Sequence, residues 1–143
     1  MVNTVGGDGN LLLNVGPMPD GRIEQRQVDR LKEIGAWLGQ FGESIYATRG
    51  GPFKPGPYGA STSRGHRIYL HVWNWQGPAL RLPAIDAKIV KAALMGGGPA
   101  TAQQTGEQIL VQVKESDRRE LDTVVVLELD RPASSLSPVA VKP

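Results

Sequence analysis

The residues in this chain best suited to chemistry are Arg67, Tyr69, His71, Trp73 and Trp75, which recur at every second position. On an extended strand that spacing puts them on one face, opposite Ile68, Leu70 and Val72. An aromatic row beside Arg and His suits stacking on sugar rings, so Tyr69, His71, Trp73 and Trp75 are candidate substrate-binding residues of a carbohydrate-binding sandwich. The same row would serve as a packing face under a helix or another domain, because a large exposed aromatic patch needs a partner in either case. Packing is the preferred reading.

Asn14 is the fifth candidate. It follows the apolar run Leu11-Leu12-Leu13 and precedes Val15-Gly16-Pro17, the position of a polar group at the end of a barrel strand. There it would meet a sugar hydroxyl or a neighbouring loop. The preferred alternative is that its amide satisfies backbone groups of the following turn.

Other chemistries find little support. Gly6-Gly7-Asp8-Gly9 precedes an apolar run instead of opening a helix, and Leu12 stands where a dinucleotide fingerprint needs its third glycine. His66 and His71 are an odd number of residues apart and fall on opposite strand faces, which disfavours a shared metal. Without cysteine the chain has no disulfide, thiolate nucleophile or cysteine-ligated metal. No metal and no cofactor is expected. The net charge of +2 is scattered, unlike a nucleic-acid stripe. No apolar run approaches the ~20 residues of a membrane span, so neither nucleic acid nor membrane is an expected partner. No opening segment has the form of a signal peptide, and localisation is left open.

These residues need elements to hold them. Leu11, Leu12, Leu13 and Val15 do not alternate with polar residues, which predicts a strand buried on both faces, as in an α/β barrel. Val28, Leu31, Ile34, Leu38, Phe41 and Ile45 recur at helical spacing, predicting a helix from about Glu24 to Phe41 with one apolar face. Residues 49–65, rich in Gly, Pro and Ser, read as a linker. Beyond them, strand-like runs at His66–Trp75, Ala79–Leu82, Ile89–Met95, Ala100–Gln104, Gln108–Val113 and Thr123–Leu129 predict an antiparallel β-sandwich over 66–130. Residues 131–143 read as a flexible tail. The expected fold class is therefore mostly β, an antiparallel β-sandwich preceded over 1–48 by a β-strand/α-helix unit like the last one of a (β/α) barrel.

Gly9-Asn10-Leu11-Leu12-Leu13-Asn14-Val15-Gly16-Pro17, then Pro19-Asp20-Gly21-Arg22-Ile23, then a helix ending Gly42-Glu43-Ser44-Ile45-Tyr46, resembles the last βα unit of the α-L-fucosidases of glycoside hydrolase family 29. The likeness is dense over Gly9–Tyr46. It is looser through Ile68–Val72, Leu94–Gly98 and Thr123–Leu129, which resemble strands of the C-terminal β-sandwich of that family.

The resemblance implies a parent activity of retaining hydrolysis of terminal α-L-fucosides, without a cofactor. It also implies that the family's catalytic Asp nucleophile and acid/base belong to barrel strands upstream of Met1, so no catalytic residue is assigned to this chain. A retaining glycosidase needs two carboxyl groups about 5 Å apart. The acidic candidates of the barrel-like part, Asp8, Asp20, Glu24, Asp29, Glu33 and Glu43, lie in separate turns or along a solvated helix face. The expectation is a C-terminal portion with a bracing role, inactive alone, partnered by the barrel portion of a fucosidase or by another copy of itself, and possible contact with fucosylated glycans. The alternative is a carbohydrate-binding β-sandwich using the aromatic strand face.

Overall fold

Alternation of apolar and polar residues builds two sheets in this chain, and the computed structural model describes residues 1–142 of it. Ahead of the sheets lie a short helix, α1 (Val2–Gly6), and a long one, α2 (Gln25–Phe41). The strands are β1 (Arg49–Gly50), β2 (Gly59–Arg64), β3 (Arg67–Val72), β4 (Ala79–Pro83), β5 (Ile89–Leu94), β6 (Thr101–Gln104), β7 (Gln108–Gln112) and β8 (Thr123–Leu129). One sheet has five strands in the order β1-β2-β3-β8-β5, the other three in the order β4-β7-β6. Every paired neighbour within them is antiparallel.

Period-two patterning decides which side chains meet between the sheets. Ile68, Leu70 and Val72 of β3, with Val125, Leu127 and Leu129 of β8, pack against Leu80, Leu82, Ile109 and Val111 of the smaller sheet. The opposite faces of β3 and β8 carry Tyr69, Val124 and Val126, and the end of α2 lies on them through Trp37 and Phe41. Both faces of β8 are thus covered, which suits its run Thr-Val-Val-Val-Leu-Glu-Leu. The expected mostly-β sandwich is the observed architecture.

Three segments differ from expectation. Residues 49–65, read as a linker, contain β1 and β2. Ala60, Ser61 and Thr62 are buried although two of the three are polar. Their hydroxyls are satisfied locally: Ser61 Oγ donates to the Phe53 carbonyl at 2.8 Å, and Thr62 Oγ1 donates to that of Ser44. Small side chains let the loop at Gly51 approach so closely that a Cβ there would lie 2.2 Å from Ser61 Oγ. Composition alone cannot tell such a strand from a linker.

The run Leu11–Val15, expected as a buried strand, has no strand pairing among the described residues, and Leu12 is 91% exposed. A strand of this kind needs flanking strands, and none of the sheet edges reaches it. The tail is also more ordered than expected. Ala133 is buried, and the Val139 N–H donates to Pro52 O at 2.7 Å; Pro143, the last tail residue, lies outside the described residues.

Candidate functional site

A group of polar and aromatic side chains lies where α2 meets the outer face of the five-stranded sheet. α2 presents Trp37 and Phe41, one turn apart, with ring centroids 5.4 Å from each other. The Trp37 ring lies 6.2 Å from that of His71, and the Arg119 guanidinium covers Phe41 at 4.8 Å from the ring centre. Tyr69 and His71, both expected on this face, are 1% and 0% exposed. They are covered by the chain's own helix and cannot stack on an external sugar in this arrangement.

Just past the end of α2, Glu43 ties the helix to the sheet. Its Oε1 accepts from Tyr69 Oη at 2.7 Å, from Arg67 Nη1 at 2.9 Å and from Arg64 Nη2 at 3.1 Å. Arg67 also faces Glu128 of β8 at 3.4 Å. The phenol hydrogen bond, followed by the two guanidiniums, holds the Glu43 carboxyl below its usual range. Burial, then the Glu43 carboxylate, pushes the Tyr69 phenol up. Sequence alone left Glu43 as one more solvated carboxylate, because its partners are 21–26 residues away.

The sign of the resulting pH dependence follows directly. A carboxyl held low contributes stability that is present above its ordinary value of 4.5 and fades as pH falls through its lower folded value. A phenol held high contributes stability that fades only as pH rises beyond its ordinary 10.0. Glu43→Gln is expected to destabilise the chain by about 1 kcal/mol at neutral pH, below the usual range for buried charged hydrogen bonds because Glu43 is 41% exposed and screened by solvent. The difference from the parent should shrink below pH 4.5 in urea titrations; a constant difference down to full acid unfolding would rule the ion cluster out.

Beneath Trp37, His71 Nδ1 and Asp122 Oδ2 share a hydrogen bond of 2.7 Å, and both residues are buried. His71 Nε2 and Asp122 Oδ1 have no partner among the described residues. The pair joins β3 to the turn before β8. Asp122 gave little signal in sequence, since it closes a charged turn of ordinary composition.

The remaining candidates are dispersed. Asn14 is exposed, and its Oδ1 accepts from the Val15 N–H at 2.9 Å, the turn role preferred from sequence. β3 ends at Val72, so Trp73 and Trp75 lie beyond its regular alternation. Trp73 is 36% exposed, whereas Trp75 packs against the inter-sheet core, the side opposite to Tyr69 and His71. The expected five-residue face is therefore broken after His71, because period two holds only while the chain remains a strand.

Most carboxylates of the N-terminal part are tied to arginines. Asp8 accepts from Arg49 Nε at 2.7 Å and from the Gly50 N–H at 3.0 Å, and these bonds, the guanidinium's first, hold it far below the usual range. Asp20 is lowered by Arg22. Both shifts run opposite to that of a general acid, whose pKa must be raised. Arg26 pairs with Glu24, Arg30 with Glu33, and Gln25 with Asp29.

Fold and site together define a helix-capped antiparallel β-sandwich whose most elaborate polar contacts lock the cap in place. Comparison with known proteins gives the relationship. Residues 1–43 match the family model described as Alpha-L-fucosidase. Tissue alpha-L-fucosidase of Bos taurus is 40% identical over 101 residues, covering 67% of this chain and 21% of that protein. Alpha-L-fucosidase of Branchiostoma floridae is 36% identical over 85 residues, covering 52% of this chain and 17% of that protein. Among solved structures, alpha-L-fucosidase isoenzyme 1 from Paenibacillus thiaminolyticus superposes with a TM-score of 0.79 at 28% identity, covering 90% of this chain and 32% of its own. The chain is related in sequence and fold to the α-L-fucosidases of glycoside hydrolase family 29, and resembles their C-terminal portion. It spans about a fifth of the length of the curated relatives it matches.

Proposed function

We propose that this chain acts as the C-terminal, bracing portion of an α-L-fucosidase-like glycoside hydrolase, and that it does not turn over fucosides alone. The parent activity in this reading is retaining hydrolysis of terminal α-L-fucosides. Its partner is the barrel portion of such an enzyme.

The observation that carries the reading is the unpaired apolar run. Leu11, Leu12 and Leu13 are 46%, 91% and 54% exposed, and Leu31 on the apolar face of α2 is 40% exposed. A strand that reads as buried on both sides, followed by a helix whose apolar side leaves Leu31 exposed, is what a βα unit presents without its neighbouring strands. The latch at Glu43 and the cover of Trp37 over His71 then give the sandwich its bracing role: they fix the helix that would pack on the barrel.

The test is release of aryl alcohol from an aryl α-L-fucoside, with the chain alone and with a separately produced barrel portion of a family 29 enzyme. Expected is no turnover by the chain alone and co-elution with the barrel portion in gel filtration. Turnover that follows the purified chain would overturn the inactive-alone reading. A monomer that ignores the barrel portion would overturn the bracing role, and a stable dimer burying Leu11–Leu13 would replace the barrel with a second copy.

A further inference from the structure

We propose that Asp8 and Gln27 are positioning residues that hold the exposed apolar run Leu11–Val15 at its two ends, ready for strand addition by the barrel portion of a fucosidase. The inference rests on the bracing reading above and assigns two side chains a part in it. The solved relative extends well beyond the part that this chain covers, and a counterpart of that remainder is the occupant.

At the near end, α1 stops on the buried Gly6, and Asp8 follows with a φ of +62°. That left-handed position after a helix usually goes to glycine or asparagine. A carboxylate there also meets the carbonyl end of α1, where the Asp8 and Gly9 N–H groups donate to Val5 O at 2.9 Å and Thr4 O at 2.8 Å. Glycine would serve the turn at less cost, so the turn does not account for Asp8. Its contacts do: Oδ1 accepts from Arg49 Nε at 2.7 Å and from the Gly50 N–H at 3.0 Å, and Oδ2 accepts from Arg49 Nη2. A two-pronged guanidinium bond joined by a backbone bond keeps its geometry at a surface where a single ion pair contributes little. It ties the chain just ahead of the run to β1, at the edge of the five-stranded sheet.

At the far end, the Gly16 N–H donates at 3.1 Å to Oε1 of Gln27, in the first turn of α2. Directly beyond, Pro17 bridges Ile23 and the Met18 N–H donates to Arg22 O at 2.7 Å, which closes the chain back onto the start of the helix. Between the two ties Leu11, Leu12 and Leu13 are exposed, and no strand pairs with the run among the described residues. A segment ordered before it binds loses less freedom on binding, so affinity rises without any new contact. The sandwich anchors one end of the run and α2 the other.

Amide relaxation NMR on the full chain tests the ties, and titration with the separately produced barrel portion of a family 29 enzyme tests their purpose. In the parent, the amides of Leu11–Val15 should have order parameters near those of α2. Asp8→Gly suits the left-handed turn, so a role confined to the turn predicts no loss. The positioning role predicts that it drops those order parameters to loop values and weakens association about tenfold, the scale of ordering one further backbone residue. Gln27→Ala should act in the same direction from the other end, and Arg49→Ala should add little to Asp8→Gly. A run as ordered in Asp8→Gly as in the parent, or as mobile as a loop in the parent already, would overturn the ties. Unchanged association with a loosened run would overturn their role in docking. If the parent itself ignores the barrel portion, the bracing reading falls and the docking role with it, while the relaxation data still decide whether the ties exist.

Discussion

Gly59→Ala is expected to prevent folding of the sandwich, and the circular dichroism of the purified variant should show loss of the sheet signal at room temperature. Gly59 opens β2 at a φ of +145°, a backbone conformation that side chains strongly disfavour. Its register partner is Val72, and a Cβ on Gly59 would sit 1.8 Å from the carbonyl oxygen of His71. That atom belongs to a central strand paired on both sides, so it cannot retreat without breaking the β3–β8 ladder. Strain of about 1–3 kcal/mol from the backbone conformation adds to a clash that only strand separation relieves. Set against a typical stability of about 5–15 kcal/mol, the sum leaves little. A variant melting within a few degrees of the parent would mean that the β2–β3 junction is pliable.

Leu127→Ala should cost about 2–5 kcal/mol, the range for truncating a fully buried leucine. Leu127 is 0% exposed in the middle of β8, with Ile68 and Ala92 as its register partners on either side. Neighbours fixed in two ladders cannot collapse into the space left by the lost methyls, which favours the upper half of that range. Urea titration should show the midpoint falling with the slope unchanged, because the exposed surface of unfolding hardly alters. Val126→Ala on the opposite face, half-covered by α2, should cost clearly less. Equal losses at the two positions would place the main core under the helix instead of between the sheets.

Much of the architecture was legible because period and packing agree. Ile68, Leu70 and Val72 alternate with charged and aromatic residues, and Leu80, Leu82, Ile109 and Val111 repeat the pattern in the facing sheet, so those strands announce themselves. The 3.6-residue spacing of Val28, Leu31, Ile34 and Leu38 marked α2 to within a residue of its start. The motif from Gly9 to Tyr46 pointed to the α-L-fucosidases, and the family model, the relatives and the solved structures show the same likeness.

The candidate site was less legible, for reasons that are also physical. β2 hides because Gly59-Ala60-Ser61-Thr62-Ser63 carries no hydrophobic signal; its burial follows from hydroxyls finding carbonyls in a loop eight to eighteen residues away. Glu43 reads as an ordinary surface acid and Asp122 gives no signal of its own, because their roles come from partners 21–51 residues distant, a separation that local pattern does not encode. Leu11–Val15 is the converse: its residues specify a doubly buried strand, yet a strand forms only where another supplies hydrogen bonds at its edge. By itself, then, the sequence determined local period, the helix, most strands and the family likeness. Only the tertiary structure decided that α2 covers Tyr69 and His71, that Trp75 turns to the core, and that the apolar run stays unpaired, because each depends on which distant backbone lies alongside.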